Sequence, residues 1–252
     1  MAEDLIWLEK RFIELADRSY TQNMYTFTDF LGLSEQNLFW QKIKELSYAA
    51  PELYGGYEGA DRCMIRFGKE SELGYTQEFP IVCIHIRPLM AKFADSLSHR
   101  DFLGALMNLG IERATMGDIQ CGEHEAYLFC QETIAEYICE NLSQVKHTSV
   151  KCEIVENMGQ VVLEVPQEKV IQVASGRIDA VIAKVYSFSR SEVLEYFREG
   201  KVFLNGRVMT KNAVDVTAGD VVNVRGFGKF KVTNEGGLSR KGKVNLTVAV
   251  YR

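Results

Sequence analysis

The residues of this chain best equipped for chemistry are cations near its C-terminal end: Arg177, Arg190, Lys201, Arg207 and Lys211, followed by Arg240, Lys241 and Lys243. Arginine and lysine give charge-assisted hydrogen bonds to phosphate oxygens. Arg190 follows Ser189 at what reads as a helix start, where unsatisfied N–H groups and the helix dipole favour an anion. From Arg177 onward there are 14 Lys+Arg against 7 Asp+Glu, whereas residues 1–176 carry 15 against 27. A cationic module on an anionic body is the electrostatic footprint of a protein that meets a polyanion, most often nucleic acid. Charge alone leaves a solvated basic face open as the alternative. The spacing suits a nucleic-acid backbone or a structured RNA shape better than a base-by-base code.

The elements that must position these cations are legible. Ile178, Val181, Ile182 and Val185 give a short helix one buried face. Ser189 and Glu192 form a capping box for a second helix, with Val193, Leu194 and Phe197 as its core face and Gly200 at its end. Asn205-Gly206 is a hairpin-turn signal, and Ala218-Gly219-Asp220 turns into a strand at 221–224. Arg177 precedes the first helix, Lys201 follows the second, and Arg207 and Lys211 surround the hairpin. The cluster Ser239-Arg-Lys-Gly-Lys243 falls in a loop before a strand at 244–250. Contact with RNA is the favoured reading of that loop, and simple solvation is the other.

Ahead of this module, the periodicity predicts helices over 3–18 (Leu5, Leu8, Phe12, Leu15, Ala16 inward) and 34–49, the latter capped by Ser34. Residues 54–62, Tyr-Gly-Gly-Tyr-Glu-Gly-Ala-Asp-Arg, form a loop whose glycines let the backbone approach another surface, and 63–67 reads as a strand. Then come a strand at 79–87, a helix at 98–108 opened by Ser98 and Asp101, strands at 115–121 and 125–130, a helix at 132–142 and a strand at 150–154. That order, β-α-β-β-α-β, predicts a ferredoxin-like plait, and 161–165 adds a further strand. The expected class is α+β in three parts: a mainly helical N-terminal region with the glycine-rich loop (1–76), a ferredoxin-like, RRM-like α/β plait (77–170) and a C-terminal domain of two helices and a small sheet (171–252).

Arg-Ile-Asp at 177–179, Ser-Arg at 189–190, Gly-Lys-Val-Phe-Leu-Asn-Gly at 200–206 and Ala-Gly-Asp-Val-Val at 218–222 resemble the S-four, or alpha-L, RNA-binding domain. With the helical N-terminus, the glycine-rich loop and the plait, the chain resembles the YlmH family of bacterial ribosome-associated RNA-binding proteins. One departure is Asp61, where that family more often has Glu. The resemblance implies binding to ribosomal RNA and tRNA on the large ribosomal subunit, and a part in rescue or quality control of stalled translation. It implies contact through Arg177, Asp179, Ser189, Arg190, Lys201, Asn205 and Lys211. The four cations among these would meet phosphates, and Asp179 would orient a neighbouring arginine, because a carboxylate repels phosphate. Ser189 is a cap first and a ligand second. Asn205 is at least as well explained as a turn residue. Apart from the resemblance, Arg62 of the loop is a candidate for a secondary phosphate contact, and the acidic lobes are a candidate surface for protein partners.

Other chemistry is poorly provided for. Cys121 and His124 have the spacing of two zinc ligands, but no second pair follows at a usual distance, so no metal is expected. The six cysteines include no C-x-x-C pair. His85, His99, His124 and His147 are scattered without a group that would orient a base. There is no G-x-G-x-x-G or P-loop motif, so no nucleotide cofactor and no catalysis are expected. Two alternatives remain: an RNA-modifying enzyme with its site in 50–130, and an adaptor linked to cell division. Tyr127 and Phe129 could stack RNA bases on the plait sheet, but core packing is the favoured reading. No apolar run reaches the ~20 residues of a membrane helix, and an acidic N-terminus without a signal peptide points to the cytoplasm.

Overall fold

In the computed structural model, residues 2–156, 166–239 and 242–251 are described, and the chain divides into two units, 1–164 and 165–252. The strand expected at 161–165 lies outside the described residues, as do Arg240 and Lys241.

The first unit begins with a helix at Ala2–Gln22, longer than its periodicity predicted. Leu8, Phe12, Leu15 and Ala16 are buried as expected, whereas Leu5 is 44% exposed. Phe12 meets Phe39 of the second helix, Leu33–Leu46, edge to face at 6.0 Å. That helix is capped by Gly32, not by Ser34, and the Gly32 N–H donates to Glu35 Oε2 at 2.6 Å. The end of the segment expected as helix is a separate 3-10 turn, Ser47–Ala49. The expected strand at 63–67 is present as Met64–Phe67, but with unforeseen partners on both sides, Thr26–Phe27 and Glu52–Tyr54. Two- and three-residue strands are too short to show an alternation.

The plait follows the expected order: strand Ile81–Pro88, helix His99–Asn108, strands Met116–Cys121 and Ala126–Gln131, helix Glu132–Asn141 and strand Thr148–Ile154. Across the sheet the four strands lie antiparallel in the order second, third, first, fourth: Met116–Cys121, Ala126–Gln131, Ile81–Pro88, Thr148–Ile154. This is the ferredoxin-like order, extended by a short strand, Gln144–Val145. Phe102, Leu106, Ala135 and Ile138 of the helices pack against Ile84, Ile86 and Leu128 on one face. Ser98 caps the first helix through Asp101, as expected: the Ser98 N–H donates to Asp101 Oδ2 at 2.8 Å.

The second unit is a six-stranded antiparallel sheet with two helices, Ile178–Tyr186 and Arg190–Arg198. The sheet order is Arg207–Val208, Val202–Leu204, Val221–Val224, Gly228–Leu238, Val244–Tyr251, Gln167–Val173. The last of these strands escaped the sequence, because only Ile171 and Val173 of it are buried and charged residues interrupt the pattern. Ile178, Val181, Ile182, Val185, Val193 and Phe197 form the helical side of the core. Leu194, expected there, is 37% exposed. Asn205 (φ 50°) and Gly206 (φ 77°) make the expected tight turn, with positive φ at both positions.

Candidate nucleic-acid interface

Arg177 is placed by backbone pairing: Ile178 N–H donates to Val214 O at 2.8 Å and Val216 N–H to Gly176 O at 2.9 Å. Its guanidinium donates to Asp179 from Nε at 3.1 Å and from Nη2 at 2.6 Å. Hydrogen bonding to Asp179 raises the Arg177 pKa, so the cation is fully held. Asp179 also accepts from Asn212 Nδ2 at 2.8 Å and from the Ala180 N–H at 2.8 Å. Ser189 caps the second helix: Glu192 N–H reaches Ser189 Oγ at 3.3 Å, and Ser189 N–H reaches Glu192 Oε2 at 2.7 Å. Arg190, the next residue, is exposed, and its side chain has no hydrogen bond or ion pair among the described residues.

These elements enclose a groove of about 560 Å³ that gathers Arg177, Lys184 and Arg190, with Asp179 and Asn212 also lining it. Three cations and one carboxylate, that carboxylate already bound to Arg177, leave the groove positive beside the start of the second helix. Lys184 and Asn212 are the members that sequence reasoning missed. The sequence signal for Lys184 is its place in the last turn of a helix whose other face is buried. Asn212 has no local signal, since its partner lies far back in the chain.

The other expected positions do not line this groove. Lys201 Nζ pairs with Glu199 Oε2 at 2.7 Å, which raises its pKa, and lies 5.9 Å from the Tyr196 ring centre. Asn205 works as a turn residue: its Nδ2 donates to Asp220 Oδ1 at 2.8 Å, and its Oδ1 accepts from Val221 N–H at 2.8 Å. Arg207 is exposed on the edge strand, Lys211 is exposed one residue before Asn212, and Lys243 is exposed beside the Ser239 turn.

Arg62 is committed inside the first unit. Its Nε donates to Met116 O at 2.9 Å, and its Nη2 to Phe30 O at 2.8 Å and Arg113 O at 3.1 Å. Burial lowers its pKa, and it lowers in turn that of Arg113, which burial chiefly brings to about 10. The glycine-rich loop is bound to the plait by Asp118, which accepts from Tyr57 OH at 2.7 Å, Asp61 N–H at 2.7 Å and Arg62 N–H at 3.1 Å. A Cβ on Gly56 would stand 2.3 Å from Phe129, so glycine there allows the loop to lie on the sheet. The surface that the loop's backbone approaches is thus the plait sheet. Asp118 carries no sequence signal, because its three donors come from a distant loop.

The plait's second face is thereby closed. Phe129 is fully buried, with the Tyr57 ring at 4.9 Å, and Tyr127 is 8% exposed beneath His85, stacked at 4.5 Å. Core packing accounts for both rings. His85 Nε2 lies 2.8 Å from Glu125 Oε2, and His124 Nδ1 lies 3.0 Å from Asp95 O. Burial pushes the Cys83, Cys130 and Cys152 thiols up to about 12, which makes them poor nucleophiles. No described helix is long and apolar enough to cross a membrane.

Residues 75–158, the plait, match the family described as "Putative RNA-binding domain in YlmH". Over 247 residues the chain is 28% identical to a protein of Bacillus subtilis (strain 168) named ribosome-associated protein quality control protein P2, covering 95% of this chain and 94% of that one. A solved structure, cell division protein ylmH from Streptococcus pneumoniae, aligns with a TM-score of 0.48 and 18% identity over 61% of this chain and 92% of that chain. The plait is thus similar to that domain of YlmH, and nearly the whole length of the chain is similar to the Bacillus relative.

Proposed function

We propose that this protein is a non-catalytic RNA-binding factor that associates with the large ribosomal subunit and tRNA in the cytoplasm and acts in quality control of stalled translation. The observation that carries the reading is the groove that gathers Arg177, Lys184 and Arg190 at the start of a capped helix. A guanidinium oriented by a carboxylate, a second cation beside it and a helix N-terminus make a phosphate-receiving surface. Two helices followed by a small sheet, with this groove between them, support an S-four domain in the C-terminal unit. The printed name of the Bacillus relative supports the ribosomal setting, and the description of the plait family supports RNA as the ligand. An RRM-style contact through the plait sheet is disfavoured, since Tyr57 covers Phe129 there.

The test is co-sedimentation of the full chain with large ribosomal subunits across a salt series. Wild-type affinity should fall with a log–log slope near the number of neutralised phosphates, roughly 4–7. Arg190→Ala should cost about 1–2 kcal/mol of association, a charge-assisted contact, and reduce the slope by about one. Unchanged association of an Arg177→Ala/Arg190→Ala double variant would remove the groove from the interface.

A further inference from the structure

A second surface of the C-terminal unit has the chemistry of an RNA contact but touches none of the groove's cations. Phe227 sits on the turn between strands Val221–Val224 and Gly228–Leu238, flanked by Gly226 (φ 91°) and Gly228 (φ 111°). Gly228 is required there, since a Cβ would stand 2.8 Å from Tyr251 O. The turn therefore projects an aromatic ring where polar residues are usual. Phe227 remains 43% exposed. Its neighbours are Phe188 at 4.8 Å and Tyr196 at 4.9 Å, both edge-on or tilted, and Phe188 and Tyr196 are themselves 5.2 Å apart.

Two further observations say what covers this patch. First, its rim carries two cations: Lys201 Nζ, which also pairs with Glu199, lies 5.9 Å from the Tyr196 ring centre, and Arg225, whose guanidinium lies 5.5 Å from the Phe203 ring centre, is exposed two residues before Phe227. An apolar protein segment would gain little from that rim, whereas a nucleotide brings both a π-face and a phosphate. Second, the patch lies close to the groove along the chain. Phe188 precedes Ser189, which alone separates it from Arg190, a Cα span of at most about 7 Å.

We infer that the Phe188–Tyr196–Phe227 patch is a stacking site for an unpaired RNA base whose strand continues into the Arg190 groove. The inference rests on the RNA reading above and extends it. Phosphate contacts alone recognise a helix by shape, but an aromatic platform beside them selects RNA with a base out of its stack, in a loop, bulge or end. Because every base has a π-face, the site distinguishes unpaired from paired RNA and not one base from another.

The test uses the full chain and two RNA hairpins of equal length, one fully paired and one carrying a single bulged 2-aminopurine. Wild type should bind the bulged hairpin more tightly and quench its fluorescence. Phe227→Leu should weaken bulged-hairpin binding about fivefold or more, abolish the quenching and leave paired-hairpin binding unchanged. Phe227→Trp should retain both tight binding and quenching, which separates stacking from a packing defect in the leucine variant. Arg190→Ala should weaken both hairpins. If wild type binds both hairpins alike, or Phe227→Leu leaves the quenching intact, the stacking site is overturned while the RNA reading stands. If wild type binds neither hairpin, the RNA reading itself fails, and the stacking site with it.

Discussion

The Asp179 carboxylate joins Arg177 to Asn212, accepting from the arginine at 2.6 and 3.1 Å and from the asparagine at 2.8 Å. Three segments thereby converge on one side chain: the entry to the first helix of the unit, its first turn, and the loop after the Asn205–Gly206 hairpin. Asp179→Ala adds net positive charge, yet it should weaken RNA binding, because Arg177 loses its fixed direction. The expected loss is about 0.5–1.5 kcal/mol, the ordering cost of one long side chain. Fluorescence anisotropy with a structured RNA measures it. A gain in affinity would mean that overall charge, not the direction of Arg177, governs binding.

Asp118 is the anchor of the glycine-rich loop, and its removal strands three donors. Asp118→Ala should lower the stability of the first unit by about 2–4 kcal/mol, since each part-buried donor left without an acceptor carries a penalty. Urea unfolding of the full chain, followed by tryptophan fluorescence from Trp7 and Trp40, would read the loss. A change under about 0.5 kcal/mol, typical of ordinary surface positions, would show that the loop is held by its apolar contacts instead.

Two glycines of the same loop separate packing from backbone strain. Both have positive φ, 99° at Gly56 and 84° at Gly59, but only Gly56 faces an obstruction, Phe129, and Gly59 has nothing within 4 Å. Gly59→Ala should cost about 1 kcal/mol, the left-handed penalty alone. Gly56→Ala should cost that and a further 1–3 kcal/mol or so for overpacking. Equal costs in thermal unfolding would contradict the close approach of loop and sheet.

The cap of the second helix has a definite pH dependence. Hydrogen bonding from Ser189, through its hydroxyl and then its backbone N–H, holds the Glu192 carboxyl below its ordinary value. A depressed carboxyl contributes stability above its unfolded pKa and loses it as pH falls through the folded value. Glu192→Gln should therefore be less stable than wild type at neutral pH, and the gap should close in acid. A gap that persists to the acid limit would assign the effect to packing and not to charge.

Much of the local architecture was readable in advance. Ser98 with Asp101 and Ser189 with Glu192 announce helix starts because capping uses side chains three residues apart. Asn205-Gly206 announces a hairpin because few residues tolerate positive φ at both positions. The plait emerged from alternation and helical period, strand by strand. The Gly32 cap was missed because glycine offers no capping side chain to read. Thr26–Phe27 and Glu52–Tyr54 were missed because strands so short depend wholly on the partner between them.

The sequence by itself determined the longer helices, the plait strands and the positive charge of the C-terminal unit, because capping, periodicity and charge are properties of neighbouring residues. Only the tertiary structure decided which cations lie together. Arg177, Lys184 and Arg190 share a groove, Lys201 is paired with Glu199, and Arg62 is spent on three carbonyls inside the first unit. The physical reason is that a side chain's partners come from segments distant in the chain. Which segments meet is set by strand register, turn direction and the close approach that glycines allow, and none of these is encoded at the cation itself.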